Sequence, residues 1–341
     1  MKVNGILKKT VSCTLAALGL LMAAGCGKGA EPAGILKESN ILEETVYLKG
    51  LEKGQEYELL FITDSHAVVR DGHAASHGDG EAAPGNSITV TGEAVSAYAE
   101  ERYPQFCNGE GVDSRTQFEA YIRYANERKV DGVLLGGDII DSPSEANLAW
   151  LAEQLGQLKM PYLYVPGNHD WTYPWEYMTE KGRQDYLSLL EPFTQGNTEI
   201  SSLDFGDFVA VGVNDSTNQV SGEVFPEFER LCGQGKPMLV LAHVPFLTQS
   251  VLGHAREVWS SPVVIGGGNY GGIYPDENSA RFVDMLTAAD SPVELVLTGH
   301  VHFYDRDIID GEKEVLQLTG AAGYAGSVML LHVRGEGQSS R

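Results

Sequence analysis

The chain has 341 residues, with 47 acidic side chains against 24 basic ones and a hydrophobic content of 43%. This length fits one large α/β domain or two ordinary ones, and the apolar fraction is sufficient for a sizeable core. The formal charge of −23 argues against a nucleic-acid binder and against attachment to anionic lipid through basic residues, since both need clustered Lys and Arg. An acidic protein that acts on phosphate esters needs a local positive charge, and a metal ion is an obvious source.

The first 26 residues have the pattern of a targeting segment. Three Lys residues precede the apolar run Val11–Ala24, whose 14 residues fall short of the ~20 that a membrane-spanning helix needs. Small residues then lead into Cys26, which resembles a bacterial lipobox. We therefore expect residues 1–25 to be a lipoprotein signal peptide, and residues 26–42 to be the lipidated Cys and a tether that holds the protein to the membrane outside the cytoplasm, on its periplasmic or surface side. An ordinary signal peptide and a short buried helix are the alternatives.

Two cysteines, Cys107 and Cys232, remain after Cys13 leaves with the signal and Cys26 takes the lipid. Outside the cytoplasm these two could pair, because that environment is oxidising. Their spacing is equally compatible with two separate buried thiols.

The remaining chain alternates short apolar runs with amphipathic stretches, which predicts an α/β fold. In chain order, the pattern predicts strand Glu58–Thr63, helix Arg115–Lys129, strand Val130–Leu135, helix Ser144–Leu158, strands Tyr162–Val165, Phe208–Val213 and Met238–Ala242, helix Asp276–Ala289, strand Glu294–Thr298, the hairpin strands Arg306–Ile309 and Glu314–Leu318, and strand Val328–Val333. We assign residues 43–335 to one domain and residues 336–341 to a disordered tail. Residues 69–112 break the rhythm and are too long for a plain connection, so we interpret them as an inserted loop or partial cap.

Five of the predicted strands run directly into side chains that can ligate metals. The carboxyl ends of strands in an open α/β sheet meet at one edge, where ligands bind. A single His at a strand end is usually a core residue, but five of the nine His in the chain fall in these positions. The candidate ligands are Asp64, His66, Asp138, Asn168, His243, His300 and His302.

The residue types narrow the choice of metal. Imidazole together with carboxylate and amide oxygen suits Mn, Fe, Zn or Ni, whereas Ca²⁺ prefers oxygen ligands alone. Seven ligands are too many for one ion and suit two, if one carboxylate bridges them. Two dications against the charges of Asp64 and Asp138 leave a positive excess, which would bind a phosphoryl group and lower the pKa of a bridging water.

At these residues the sequence resembles the calcineurin-like metallophosphoesterase superfamily, from Leu59 to about Leu331. Its blocks D-x-H, G-D-x-x-D, G-N-H-[DE], a strand-ending His and G-H-x-H occur here in order, with Asp141 as the second Asp of the second block. The resemblance implies a four-layer αββα sandwich with two mixed sheets and a dinuclear metal site. By motif, one metal would be held by Asp64, His66 and His302, and the other by Asn168, His243 and His300, with Asp138 bridging.

The resemblance also implies catalytic roles next to the ligands. His169 would face the phosphate and either stabilise the transition state or protonate the leaving oxygen, with Asp170 orienting it; a surface-loop His is the alternative. Asp141 could equally cap the following helix. The last block followed by Tyr304 resembles the corresponding sequence of purple acid phosphatases. Those enzymes carry a Tyr where this chain has Asp141, so a tyrosinate-bound ferric ion is not expected.

These features predict a membrane-anchored lipoprotein that hydrolyses small phosphate esters, with a metal-bridging hydroxide as the nucleophile. The first alternative is a phosphodiesterase or nucleotidase that acts on nucleotides, because the acidic charge disfavours only long nucleic acids. The second is a non-catalytic surface lipoprotein that keeps the fold for binding. We expect the inserted segment 69–112 to shape the choice of substrate.

Overall fold

The computed structural model describes residues 36, 40–70, 98–172, 178–261, 263–266 and 274–335. The strands are β1 (Ile41–Leu48), β2 (Glu56–Ile62), β3 (Gly132–Leu135), β4 (Tyr162–Tyr164), β5 (Ile200–Asp204), β6 (Val209–Val213), β7 (Met238–Leu241), β8 (Val293–Thr298), β9 (Asp305–Ile309), β10 (Val315–Thr319) and β11 (Val328–Gly335). The helices are α1 (Ser114–Arg128), α2 (Glu145–Leu155), α3 (Asn168–Thr172), α4 (Glu180–Tyr186), α5 (Phe225–Cys232), α6 (Gln249–Trp259) and α7 (Glu277–Thr287). Among the described residues, none of the helices has the length and apolar character to span a membrane.

The strands form two mixed sheets. The first has the order β1-β11-β2-β3-β4, in which only the β11–β2 pair is antiparallel. The second has the order β5-β6-β7-β8-β10-β9, in which both outermost pairs are antiparallel. Strands β2, β3 and β4 of one sheet and β6, β7 and β8 of the other are parallel neighbours, so their carboxyl ends open on a common edge of each sheet.

The alternation of side chains along the strands builds four layers. Leu59 and Phe61 of β2 point into a central core that also contains Leu239 and Leu241 of β7, so the two sheets pack face to face. The intervening Leu60 and Ile62 point the other way, into a core shared with helices α1 and α2. Val211 of β6 and Val240 of β7 likewise face α5 and α7. Because successive strand residues point to opposite faces, each sheet buries both faces, and the predicted αββα sandwich is confirmed.

The predicted strands and helices lie within three residues of their observed bounds. The sequence reasoning missed β1 and β5, two polar strands at the outer positions of their sheets, and the helices from α3 to α6. Strand β1 starts at Ile41, inside the stretch that we had assigned to the tether. Residues 1–35 and the predicted tail 336–341 lie outside the described residues.

Of the inserted segment, residues 71–97 lie outside the described part and residues 98–112 within it. Residues 98–102 are helical and continue into a 3₁₀ turn, Tyr103–Gln105. Phe106 then packs into a small cluster with Val68 and Tyr324. This end of the segment therefore lies against the loop that follows β2.

Candidate metal centre

The turns after β2, β3 and β8 place several candidate ligands in the left-handed backbone region. The φ angles are 50° at Asp64, 43° at His66, 52° at Asp138, 69° at His300 and 64° at His302. Such angles are uncommon for residues other than Gly and cluster at functional sites, where the surrounding structure compensates their cost. Here the turns hold each other, because the His66 amide donates to the Asp138 carbonyl over 2.8 Å and the Asp64 amide donates to the Gly137 carbonyl over 3.0 Å.

One group of ligands brings together Asp64, His66 and His302. The Nε2 atoms of His66 and His302 are 3.1 Å apart, and His302 Nε2 lies 3.4 Å from Asp64 Oδ1. The Asp64 carboxylate is fixed by the His300 backbone amide and by the Thr63 hydroxyl, which donates over 2.8 Å. The three side chains converge on one point, as the sequence predicts for the first metal.

The second group consists of Asp138, His243 and His300. His243 Nε2 lies 3.2 Å from Asp138 Oδ2 and 3.3 Å from His300 Nδ1. The other ring nitrogen of His243 donates to the Gly136 carbonyl over 2.8 Å, which leaves Nε2 free to ligate a metal. Asp138 Oδ2 is also 3.8 Å from His66 Nε2, so this carboxylate lies between the two groups, and its bridging of two metals stays a prediction.

Asn168 provides an independent test of whether the site fits metal ions. Its side chain is buried, and its Oδ1 atom has no hydrogen-bond partner among the described residues. A buried carbonyl oxygen without a partner costs free energy unless a ligand satisfies it. Together with the carboxylates and imidazoles of the two groups, this oxygen fits transition ions and agrees with the predicted role of Asn168.

Two glycines of the sequence blocks are required by close packing around the ligands. A Cβ atom at Gly167 would lie 2.2 Å from Asp138 Oδ1, and one at Gly299 would lie 1.9 Å from Thr63 Oγ1 and 2.5 Å from Asp64 Oδ2. Real Cβ atoms do not approach other atoms so closely. The glycines therefore let the backbone pass directly behind the metal-binding carboxylates.

The pKa values of the buried histidines in the site are shifted in opposite directions. Burial lowers the pKa of His66 to about 4 and that of His300 to about 3, so both are neutral, as metal ligands must be. Burial alone would also lower the pKa of His243, but the carboxylates of Asp138 and Asp64 raise it to about 10. Without metal, His243 thus carries one positive charge between the two buried carboxylates.

His169 pairs with a different carboxylate from the one that the sequence suggested. Its Nδ1 atom lies 2.9 Å from Asp141 Oδ1, and its backbone amide donates to Asp138 Oδ1 over 2.7 Å. Hydrogen bonds from His66, His169 and Arg102 hold the pKa of Asp141 well below its usual range despite burial. Asp141 is therefore an ionised acceptor at the edge of the site, and the open choice of a helix cap is resolved, since Ser144 caps α2.

Asp170 has a structural environment. Its carboxylate accepts four backbone N–H groups, from Asp138, Ile139, Ile140 and Gly167, at 2.7–3.0 Å. Burial and the adjacent Asp138 charge raise its pKa to about 7, while these N–H donors oppose the shift. This corrects the expectation that Asp170 orients His169, because both of its oxygens hold the turn that carries Asp138.

Aromatic rings surround the His66 and His302 side of the site. The Phe106 ring stacks on His66 at 4.5 Å with an angle of 1° between the planes. The Tyr324 and Trp259 rings meet His302 edge to face at 5.4 and 5.2 Å. Sequence reasoning missed all three, because each lies outside the five blocks and carries no local signal beyond being aromatic.

The remaining candidates lie apart from the metal groups. The Tyr304 hydroxyl donates to Glu44. Cys232 is a free thiol, so the possible pair with Cys107 does not form.

A family model described as calcineurin-like phosphoesterase matches residues 57–304, which is well over half of the chain. Two proteins of Helicobacter pylori, from strains 26695 and J99, are each named as an uncharacterized metallophosphoesterase. They are 27% and 28% identical to this chain over 160 residues, which is 45% of this chain and 40% of theirs. The chain thus aligns with less than half of the length of these relatives.

Solved structures of low sequence identity are also similar. A dimetal phosphatase from Danio rerio is 11% identical with a TM-score of 0.42, and the match covers 79% of this chain and 88% of that one. The NAD nucleotidase of Haemophilus influenzae is 12% identical with a TM-score of 0.34, and the match covers 80% of this chain and 51% of that one. Family membership is established by the sequence match over residues 57–304.

Proposed function

Because the chain belongs to the calcineurin-like phosphoesterase family, we propose that it hydrolyses small phosphate esters at a dinuclear metal centre. The observation that carries this proposal is the convergence of two ligand groups on a shared carboxylate. Asp138 Oδ2 lies 3.2 Å from His243 Nε2 in one group and 3.8 Å from His66 Nε2 of the other.

We propose the division of ligands that the sequence resemblance implies. One ion would be held by Asp64, His66 and His302 and the other by Asn168, His243 and His300, with Asp138 shared. Bound Mn, Fe, Zn or Ni supplies the positive charge that offsets the phosphate and lowers the pKa of the attacking water.

The protein's own contribution is a positioned proton donor. Asp141 is an ionised acceptor, so the proton of a neutral His169 ring resides on Nδ1, 2.9 Å away, and Nε2 is the nitrogen that would meet the substrate. The side chain of His169 is partly exposed and therefore accessible. A protonated His169 can transfer the Nε2 proton to the leaving oxygen, while Asp141 stabilises the charged ring.

The experiment compares two substrates in the presence of Mn²⁺. The purified protein is assayed on an aryl phosphate monoester and on the matching diester, with Asp138→Asn as the variant that lacks the shared carboxylate charge. We expect hydrolysis that falls at least 100-fold in the variant, since metal and oxyanion interactions of this kind contribute about 10²–10³ or more. Two ions bound per chain with no hydrolysis of either ester would support the non-catalytic alternative.

A second candidate is the hydrolysis of nucleotides, and Trp259 is the observation that favours it. Its indole N–H donates to the Val301 carbonyl over 2.9 Å, which fixes the ring beside His302, and 41% of the residue remains exposed. Exposed aromatic rings are platforms for nucleobases. If this candidate is right, Trp259→Ala raises KM for a nucleoside monophosphate and leaves KM for glycerol phosphate unchanged. Equal effects on both substrates would remove it.

We also propose that the protein acts outside the cytoplasm, attached to the membrane through a lipid on Cys26. The proposal is supported by the basic start, the apolar run and the small residues before this Cys. The full chain, produced in a bacterium, is expected in the membrane fraction, and the Cys26→Ser variant in the soluble fraction. Equal distribution of the two proteins would contradict the anchor.

A further inference from the structure

Arg102 lies in the inserted segment, outside the five sequence blocks, yet it contacts the candidate active site. Its Nε atom donates to Asp141 Oδ2 over 2.7 Å and its Nη2 atom donates to Asp141 Oδ1 over 3.0 Å. The two side chains are only 11% and 1% exposed. A two-pronged pair of this kind fixes the plane of a carboxylate as well as its position.

The same carboxylate serves two histidines of the site. Asp141 Oδ1 lies 2.9 Å from His169 Nδ1 and 3.2 Å from His66 Nδ1. The orientation of Asp141 therefore determines which nitrogen of each ring carries the proton. With both protons on Nδ1, His66 presents Nε2 towards His302 and Asp64, and His169 presents Nε2 to substrate.

Few other contacts hold the Asp141 side chain in this orientation. The Tyr98 hydroxyl, which also belongs to the inserted segment, donates to Oδ2 over 3.1 Å. Among the lysines and arginines that the structure describes, Arg102 is the one that forms an ion pair with the buried Asp141 carboxylate. Removing one partner of a buried ion pair leaves an uncompensated charge, so without Arg102 the carboxylate would rotate or admit water.

A further contact ties the same segment to His66. The Arg102 guanidinium lies over the Phe106 ring at 4.7 Å, and the imidazole of His66 stacks parallel to the same ring. Arg102 thus supports the first ligand group through an ion pair and through a stacked ring.

We propose that Arg102 is a positioning residue, which fixes Asp141 so that His66 and His169 both hold their protons on Nδ1. The described end of the inserted segment, residues 98–112, thereby acts on the catalytic step. The effect on catalysis rests on the proposed hydrolysis of phosphate esters, whereas the effect on the His protons does not.

Kinetics of three variants test the catalytic part. Arg102→Ala removes both hydrogen bonds to Asp141. Arg102→Lys keeps the positive charge but cannot form the two-pronged pair. Arg70→Ala is the matched control. Arg70 supports the same segment, since it stacks on Tyr103 at 3.7 Å and pairs with Glu100, but none of its contacts reaches Asp141. Thermal unfolding and metal content are measured for each protein, so that a folding defect is recognised.

We expect kcat to fall about 10- to 100-fold in Arg102→Ala, as for other partners that orient ligands, with KM within about twofold. Added guanidinium ion is expected to restore part of the rate in Arg102→Ala, because it can occupy the space left by the Arg102 guanidinium group beside Asp141. Arg70→Ala keeps the parent kcat. Unchanged kcat in both Arg102 variants, or a loss in Arg102→Ala that equals the loss in Arg70→Ala, would overturn the proposal. If Arg102→Ala does not fold, Arg102→Lys decides in the same way.

Long-range ¹H–¹⁵N spectra of the metal-free protein, labelled at His nitrogen, test the proton positions independently of activity. The wild type is expected to show His66 and His169 as Nδ1–H tautomers, and Arg102→Ala to lose this uniform state. Identical spectra in wild type and variant would refute the role of Arg102. A wild type that shows these tautomers but hydrolyses no ester would count against the proposed function alone.

Discussion

Asp170→Asn distinguishes the two roles that sequence and structure give to this residue. In the structure, Oδ2 accepts the N–H groups of Asp138 and Gly167, and Oδ1 accepts those of Ile139 and Ile140. The substitution replaces one oxygen by an NH₂ group, which donates and cannot accept. Whichever way the amide turns, two buried N–H donors then face a donor.

The expected loss of stability follows from these two hydrogen bonds. Hydrogen bonds to charged groups contribute about 1.5–3 kcal/mol each, so losing two costs about 3–6 kcal/mol. That is a large part of the roughly 5–15 kcal/mol by which a domain is stable. Because the Asp138 amide is one of the donors, the variant should also bind metal less tightly.

Urea unfolding of the metal-free protein measures the free energy of unfolding, with the exposed Asp290→Asn as a control of the same chemistry. We expect the midpoint to fall in Asp170→Asn and to stay unchanged in Asp290→Asn. A variant within about 1 kcal/mol of wild-type stability whose kcat nevertheless collapses would refute the structural role and would favour Asp170 as the partner of His169.

Three further perturbations test other parts of the structure. Gly167→Ala would place a Cβ atom 2.2 Å from Asp138 Oδ1 and should lower the stability measured by thermal unfolding by about 3 kcal/mol. Gly253→Ala in helix α6, where the added Cβ atom meets open space, should raise the stability by about 0.5–1 kcal/mol. Equal shifts in the two variants would contradict the packing. Burial raises the pKa of Cys232 to about 11 from 9.0, so alkylation of this thiol at pH 8, followed by peptide mapping, should be about 100-fold slower in the native than in the unfolded protein. This difference in rate should shrink as the pH rises towards 11. Equal rates at pH 8 would contradict the raised pKa. Chelation of metal that was present at about 100 times its Kd should cost about 2.7 kcal/mol, or about 5–10 °C in Tm, and an unchanged Tm would argue against tight binding.

The candidate ligands could be found in the sequence because their signals are local, and their binding of metal stays a prediction. Each ligand follows a short apolar run, and parallel strands bring such ends together by rule. Asp64 and His243, for example, are 179 positions apart in the sequence, but each could be recognised from its own strand. The helices α1, α2 and α7 were found for the same reason, since their apolar periodicity lies within a single segment.

The partners of those ligands could not be predicted, because they depend on contacts between distant segments. Asp170 follows His169 in the sequence, yet the backbone turns its carboxylate towards the amides after β3. Asp141 meets His169 across the turns that follow β3 and β4, and Arg102 reaches Asp141 from the inserted segment. Strand β1 was missed because its glutamates, Glu43 and Glu44, mask a strand that is defined by parallel pairing with β11 at the other end of the chain.

We propose that two metal ions, held by Asp138 and six further side chains, carry the hydrolysis of phosphate esters by this protein. The most direct test is a titration of the metal-free protein with Mn²⁺ in which the rate of phosphate-ester hydrolysis is followed against equivalents added. At protein concentrations well above Kd, we predict that the rate rises until two equivalents per chain are bound and then remains constant. A rate that saturates at one equivalent, or hydrolysis that is fully retained in the metal-free protein, would contradict the account.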